Sequence, residues 1–522
     1  MTAEAREGAG VAAFVAVGAL VCAALLVAPG QTVVSVYAND LFIFLDGAHR
    51  VAAGQAPNRD FHTALGPLVF YLPAAGYALT GSLGLAMPAA MALVLAGLAP
   101  PMAWILGSRV RPLLALPFAA FLLLVVAVPM NLGEAVSALS FAMFYNRIGW
   151  AALALLAAMA LTPRQAVQGR LALDAASAVL LAGLLVYTKA SYGAVALALI
   201  GLLLVYPAHR AWAALALAAL AVLAVLVEAV WGGSAGYIDD LRTAGAVSGA
   251  FRGGVVDLAD AAMRHLADGV LVGLLAILAV RRSPTPWRDV LFYGFCAGAG
   301  LAIMIQNAQG WGILTLHAAA LVAAERLMRG APGAYLERPW SPRAGAPLLL
   351  VALVLPTVVH CAAALGLHAA LAAERPVSRF GLPGYDRIRV AEPWPMNDYG
   401  FSVRFRDGLS EGAEALRGLD PSRVVVLDFV NAFSAGLGIA PARGDSSWLH
   451  WGRNVDAGHH IPPGDLLADA RIVLVPKPGI NGPPLWDIYG PAVEAGFELV
   501  RETGSWRVYR RREPPAVVSE AR

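Results

Sequence analysis

Charge is what this 522-residue chain has least of: Lys, Arg, Asp and Glu make up 14% of it, against 59% hydrophobic residues and a mean hydropathy of +0.65. So apolar a composition excludes a purely water-soluble enzyme. It equally excludes intrinsic disorder, which needs low hydrophobicity and high net charge. A formal charge of only +3, with no basic stripe carrying interleaved aromatics, excludes a nucleic-acid footprint. Cysteine is scarce: Cys22, Cys296 and Cys361 each sit in an apolar run, so neither a disulfide framework nor a clustered zinc site is expected. Lysine is nearly missing, with Lys189 and Lys477 standing against 36 arginines. There is also no G-x-G-x-x-G after a strand and no Walker-type loop, so no nucleotide-binding site is indicated.

What charge there is lies unevenly. Of the 73 charged residues, 36 fall in 375–522, leaving 37 for the first 374. The early part is instead a series of apolar runs. A spanning helix needs roughly 20 mostly apolar residues, because hydrocarbon offers nothing to a stray backbone polar group. About eleven such runs occur, near 11–29, 83–106, 112–130, 147–162, 171–188, 191–207, 211–231, 267–280, 288–305, 311–328 and 346–370. With the N-terminus cytoplasmic, the cytoplasmic loops collect Arg109, Arg111, Arg164, Arg170, Arg210, Arg281, Arg282, Arg288, Arg326, Arg329, Arg338 and Arg343, as the positive-inside rule requires. An odd number of spans then puts the C-terminal part outside the cytoplasm.

The expected fold is therefore mainly α: a polytopic membrane helix bundle over 1–374, with a small α/β domain over 375–522 on the outer face. Residues 30–82 form a long first external loop. Within it, 41–53 has the apolar spacing of a helix lying at the interface. Residues 67–79, broken by Pro73 and Gly76, read as re-entrant or interfacial, with a further short span as the alternative. In the C-terminal part, 423–429 and 471–475 read as strands, and 497–510 as a terminal hairpin.

Ionisable groups at a membrane boundary are costly and commonly face a cavity or a partner. Asn39-Asp40 follows the first run, with Tyr37 beside it, and Asp60 comes later in the same loop. Glu134 lies in the second external loop, close to Asn146-Arg147. Lys189 ends the fifth run in T-K-A-S-Y-G, where a compact ammonium suits phosphate. Gln306, Asn307 and Gln309 make a polar corner. Each has a plainer reading: Asp40 as a helix N-cap, Asp60 as a turn residue, Glu134 as a solvated loop acid, Arg147 as an interface anchor, Lys189 as a boundary lysine snorkelling to water. Trp448, His450, Trp451, His459 and His460 crowd the 445–460 loop, where they offer ring faces to a ligand or form an ordered loop core. Glu228 and His317 stay unassigned.

These positions, in order, resemble the GT-C class of membrane glycosyltransferases, in the branch of aminoarabinose transferases and protein O-mannosyltransferases. The likeness runs over residues 1–330. It consists of the acidic position at Asn39-Asp40, a juxtamembrane helix at 41–53 ending at Gly54, then Asp60-Phe61 and Gly66-Pro67-Leu68-Val69-Phe70-Tyr71. The T-K-A-S-Y-G element at 188–193 and an outer-face domain complete it. The pattern departs at Asn39, where the family usually has an acid, and at Asn146, where an Asp is common; Asp40 is the surviving acid.

The resemblance implies an integral membrane glycosyltransferase of the bacterial cytoplasmic (inner) membrane, working at its outer face. Its donor would be a sugar on a polyprenyl-phosphate carrier, and its acceptor a lipid, an envelope glycan or a protein. Asp40, Asp60 and Glu134 would be the candidate acids. Lys189 and Arg147 would hold the donor phosphate, and Tyr37, Asn39, Asn146, Asn307 and Gln309 would line the site. No cofactor is required, and a divalent metal is optional with a monophosphate leaving group. Two other classes stay open: a transporter or lipid flippase with an outer domain, and a non-catalytic scaffold of the same fold.

Overall fold

A computed structural model describes residues 3–166, 168–249, 255–306, 312–329, 342–374, 380–395, 399–477, 479 and 481–512. The chain is mainly helical. It opens with α1 (Ala3–Val27), the short β1 (Thr32–Val34), α2 (Ala38–Ala52) and α3 (Leu68–Thr80). There follow α4 (Leu83–Arg109), α5 (Pro112–Ala127), α6 (Phe144–Ala158), α7 (Arg170–Thr188), α8 (Ala190–Leu203), α9 (Arg210–Trp231) and α10 (Ser234–Ser248). Next come α11 (Val255–Arg264), α12 (Leu266–Val280), α13 (Pro286–Gln306), α14 (Leu314–Met328) and α15 (Pro342–Ala373). The remainder holds β2 (Ile388–Val390), α16 (Tyr399–Leu416), β3 (Val424–Val426), α17 (Phe433–Leu437), α18 (Pro463–Leu466), β4 (Ile472–Pro476), α19 (Gly482–Gly496), β5 (Phe497–Glu502) and β6 (Trp506–Arg511).

Each of the eleven apolar runs overlaps one of these helices. Among the described residues, six helices can cross a membrane by length and apolarity (α1, α4, α7, α9, α13 and α15), or seven if the α11–α12 pair, bent by 75°, is one span. The arginine-bearing turns meet at one end of the bundle. Arg164 bonds Glu7 at 2.7 Å, Arg109 bonds Asp174 at 2.5 Å, Arg326 bonds Asp289 at 2.5 Å, and Arg329 reaches both Glu325 and the Thr162 carbonyl. The start of α1 thus lies beside the ends of α4 and α14 and the starts of α7 and α13, as up-and-down alternation requires. Two polar groups left unassigned by the sequence are satisfied locally. His317 stacks on Phe121 and bonds the Ile313 carbonyl, and Glu228 accepts the Ser234 N–H beyond the end of α9.

The opposite end carries the first loop and the C-terminal part. α2 does not lie on a lipid surface: Leu41, Phe42, Ile43, Phe44 and Leu45 are all buried, so it is covered on every side. α3 and α4 cover one flank, and α16 and α17 the other. α3 is 13 residues long, about 20 Å at 1.5 Å per residue, and too short to span. It packs against α4 so closely that a Cβ on Gly76 would fall 2.2 Å from the Ala86 carbonyl oxygen.

Two sheets follow from the strand segments. β1 and β2 pair in parallel, Thr32 opposite Ile388, which joins the first loop to the chain after α15. β3, β4, β6 and β5 form a four-stranded sheet in that order, with β3–β4 parallel and the terminal β5–β6 hairpin antiparallel. One apolar core is continuous from α1 through α14 and α15 to Phe380, Tyr385, Val424 and Trp506, so the sheet's near face packs into the same cluster as the helices. A second cluster, around Leu485 and Tyr489 of α19, fills the sheet's far face.

Candidate active site

A cavity of about 260 Å³ opens where α2, the start of α6 and the 445–455 loop converge, at the end of the bundle away from the arginine turns. Two non-glycine residues on its wall have left-handed backbone, Tyr37 (φ 51°) before α2 and Met143 (φ 49°) before α6. Such conformations cost about 1–3 kcal/mol each and persist where the surroundings impose them, often at functional sites. Here each turns its chain sharply into a helix whose first turn faces the cavity. From α2 come Asn39 and Asp40, from α6 Tyr145. Tyr37 occupies the cap position of α2, so Asp40 is no N-cap: it sits in the first turn, its N–H on the Tyr37 carbonyl and its carboxyl left for the cavity.

Burial raises the Asp40 carboxyl to about 7, with Arg453 pulling it back and Glu134 adding to the rise. Arg453 is the cavity's own cation, and no local pattern in the sequence marked it. It stands on the loop whose Trp448 and His450 pack with Phe429 as a three-ring wall, with centroid separations from 5.4 to 6.0 Å. The Trp448 indole N–H on that wall has no hydrogen-bond partner among the described residues. Two of the five aromatic candidates in this loop thus line the cavity. Trp451 is exposed, His459 pairs with Asp456, and His460 lines a separate cavity beside His62.

Lys189 lies just behind this wall, in the extended residue between α7 and α8. Its ammonium donates to Asn146 Oδ1 at 3.1 Å and sits over the rings of Tyr145 (5.2 Å) and Tyr192 (5.8 Å). Asn146 therefore orients the lysine, and Tyr145 stands between it and the cavity. The G-P-L and T-K-A-S-Y-G elements prove to be one structural unit. Gly66 N–H donates to the Thr188 carbonyl at 3.1 Å, and a Cβ on Gly66 would lie 2.2 Å from the Tyr187 carbonyl oxygen. Backbone cannot yield there. Gly66→Ala is expected to destabilise the protein by about 1–3 kcal/mol and to shift Lys189, read as a lower unfolding temperature of the detergent-solubilised protein; an unchanged melt removes the close-packing argument.

No family model and no curated protein matches the chain. Solved structures similar to it include ArnT from Cupriavidus metallidurans bound to undecaprenyl phosphate, at 15% identity over 95% of this chain and 97% of that one, with a TM-score of 0.49. The apo state of the same ArnT gives 15% identity over 95% and 96%, with a TM-score of 0.47. The arabinofuranosyltransferase AftD from Mycobacteria gives 14% identity over 96% of this chain and 40% of that one, with a TM-score of 0.37. ArnT and AftD are both GT-C glycosyltransferases.

Among the described candidates, Asp60, Glu134 and Arg147 lie outside the cavity. Asp60 is ion-paired to Arg443 at 2.5 Å and to Arg59 at 3.3 Å, and it accepts the Ala56 N–H at 2.7 Å; it ties the first loop to the C-terminal part. Glu134 is half-buried, accepts from Asn131 at 3.3 Å, and acts on Asp40 through its field. Arg147 is buried with Nη1 on the Met130 carbonyl at 3.0 Å, so it pins the loop before α6 rather than facing the cavity. Asn307 and Gln309 lie outside the described residues. Among the described residues no three His, Cys, Asp or Glu side chains gather into a metal-holding group.

The first loop also holds the 445–455 loop in place. His62 N–H donates to the Asp445 carbonyl, Ser447 N–H to the His62 carbonyl, and Gly444 N–H to the Asp60 carbonyl. Beneath them Arg50 is wholly buried between Asp46 and Asp445, at 2.6 Å from each.

Proposed function

We propose that this protein is an integral membrane glycosyltransferase that moves a sugar from a polyprenyl-phosphate carrier to an acceptor at the outer face of the cytoplasmic membrane. One observation carries the reading: a carboxylate raised to about 7 and a guanidinium face the same cavity, with a lysine behind it, at a single end of a membrane bundle. A lipid-linked sugar keeps its phosphate at the membrane surface, and in this reading the cavity, beside short helices and a polar loop, lies at that level.

In this reading Asp40 takes the proton of an acceptor hydroxyl as its oxygen attacks the anomeric carbon. The bond from that carbon to the phosphate oxygen breaks, and its electron pair leaves on the phosphate. A base with a pKa near the working pH is the efficient choice. Fixed cations aimed at the departing charge lower the barrier without reorganising. Arg453 takes that place at the cavity wall, and Lys189 stands beside the cavity-lining Tyr145 as the second cation. A single displacement of this kind inverts the anomeric configuration. The C-terminal part, 375–522, acts as an outer-face domain over the cavity.

The test is a membrane assay with radiolabelled sugars on undecaprenyl phosphate, a hexose and a pentose in parallel. Arg453→Ala and Lys189→Ala are each expected to lower transfer by about a hundredfold, the order lost with one charge-stabilising donor. Variants as active as the parent would remove the assigned site. Movement of the lipid-linked sugar across the bilayer without a glycosidic product would replace the enzyme by a transporter.

A further inference from the structure

The chain carries a second cavity that the chemistry above does not use. β3 and β4 are parallel neighbours, with Val424 opposite Ile472, Val425 opposite Val473 and Val426 opposite Leu474. Their carboxyl ends therefore open on the same side. The carboxyl ends of adjacent parallel strands are where α/β sheets bind ligands, because the chain splays there and leaves a crevice. A cavity of about 350 Å³ occupies this crevice, between the segments after the two strands and the flank of α16.

Its walls are flat and its edges polar. Phe401 and Phe405, one turn apart on α16, stack nearly parallel at 14°. Trp506 closes another side, its plane fixed because its indole N–H already donates to the Gly408 carbonyl at 2.7 Å. Asp428, the second residue beyond β3, is held by the Asn481 side chain at the crevice floor, and burial raises its carboxyl. Arg404 stands at the exposed mouth and forms no ion pair among the described residues. Asn39 and Phe429 line this cavity and the Asp40 cavity alike, so the two share a wall.

We infer that this crevice binds the acceptor, and that the acceptor presents a saccharide ring to it. The inference rests on the transferase reading above and extends it to a site of its own. A sugar offers a C–H face to aromatic planes and hydroxyls at its rim, the chemistry of Phe401, Phe405 and Trp506 set beside Asp428 and Arg404. A bare acyl chain would fill the aromatic walls but bring no hydrogen-bonding group to Asp428 or Arg404. A ring seated here lies across the shared Asn39 and Phe429 wall from the Asp40 cavity.

The experiment uses the full chain in native membranes that carry the acceptor, with the same two labelled undecaprenyl-phosphate sugars. Two products are counted: label joined to membrane acceptor, and label released to water. Asp428→Asn, Phe401→Ala and Arg404→Ala are expected to lower incorporation about tenfold, the worth of one contact to a charged or aromatic group, while release to water stays at the parent's level. Phe401 and Arg404 are exposed, so their truncation leaves the fold intact, and continued release to water reports an intact donor site. Incorporation at the parent's level in all three variants overturns the inference, as does an equal loss of both products. Label found on a protein or on a sugar-free lipid overturns the saccharide class. A parent that yields neither product sinks the transferase reading itself, and this inference with it.

Discussion

Asp40→Asn is expected to lower glycosyl transfer by about 10²–10⁴-fold, the range for loss of a positioned general base, while leaving the protein no less stable. Asparagine is nearly isosteric and keeps the first-turn geometry of α2, but it cannot accept the acceptor's proton. The stability half of the prediction follows from the sign of the pKa shift. The Asp40 carboxyl is raised to about 7, first by burial, so the folded state holds this proton more tightly than the unfolded chain does. Its contribution is fully present below the unfolded value of about 4 and is lost as pH rises through about 7. Above that pH the folded protein carries a charge it has poorly solvated, and the asparagine variant does not. The variant's unfolding temperature should therefore exceed the parent's by less at pH 5 than at pH 8.

The same shift sets the parent's pH profile. Transfer needs the Asp40 carboxylate, while burial also lowers the Lys189 ammonium to about 7, so kcat/KM should rise and then fall around pH 7 and the asparagine variant should lose the rising limb. An unfolding temperature that falls in the variant at pH 8 would make Asp40 a structural residue. A parental rate that stays level between pH 5.5 and 8 would remove it as the base.

How much of this was readable beforehand depended on the length scale of the signal. Apolar runs near twenty residues long are hard to mistake, and each of them overlaps a helix. β3, β4 and the β5–β6 hairpin were legible because their apolar runs are bounded by turn residues. β1 and β2 were not: three residues each, far apart in sequence, carry no periodicity of their own. The site divides in the same way. Asp40 and Lys189 stood out as rare ions in apolar surroundings. Asp60 and Arg147 stood out equally, yet both are held in structural contacts away from the cavity, because a sequence shows that a charge is present but not which charge answers it. Arg453 lay among many arginines of a charge-rich segment, and only the folding of its loop over α2 brings it to Asp40. Arg50 was hidden more deeply. Its spacing from Asp46 is that of an ordinary solvated helix pair, and nothing near it announces Asp445.

That buried triad carries the second large expectation: Arg50→Met should destabilise the protein by about 3–5 kcal/mol, the cost of removing one partner from a buried ion pair. Arg50 is fully buried and donates from Nε to Asp46 at 2.6 Å and from both terminal nitrogens to Asp445 at 2.6 and 2.8 Å, with a further bond to the Ala442 carbonyl. The ring of Phe61 covers its guanidinium at 5.3 Å. Methionine fills much of the volume but leaves two carboxylates, each already raised by burial, without their cation. The variant's carboxyls would rise further, so its stability is fullest below their unfolded pKa and falls as pH increases; the deficit against the parent should be smaller at pH 5 than at pH 8. Arg50→Lys should recover only part of the loss, since an ammonium cannot reproduce the fork to Asp445. The triple variant Asp46→Asn, Arg50→Met, Asp445→Asn should recover more, because a neutral replacement leaves no stranded charge. The consequence reaches the chemistry, because Asp40 lies on the same helix as Asp46 and Arg453 on the same loop as Asp445. Where Arg50→Lys still folds, transfer should drop more than stability does. Parental transfer in that variant would mean that the triad only holds the fold and does not set the distance between base and cation.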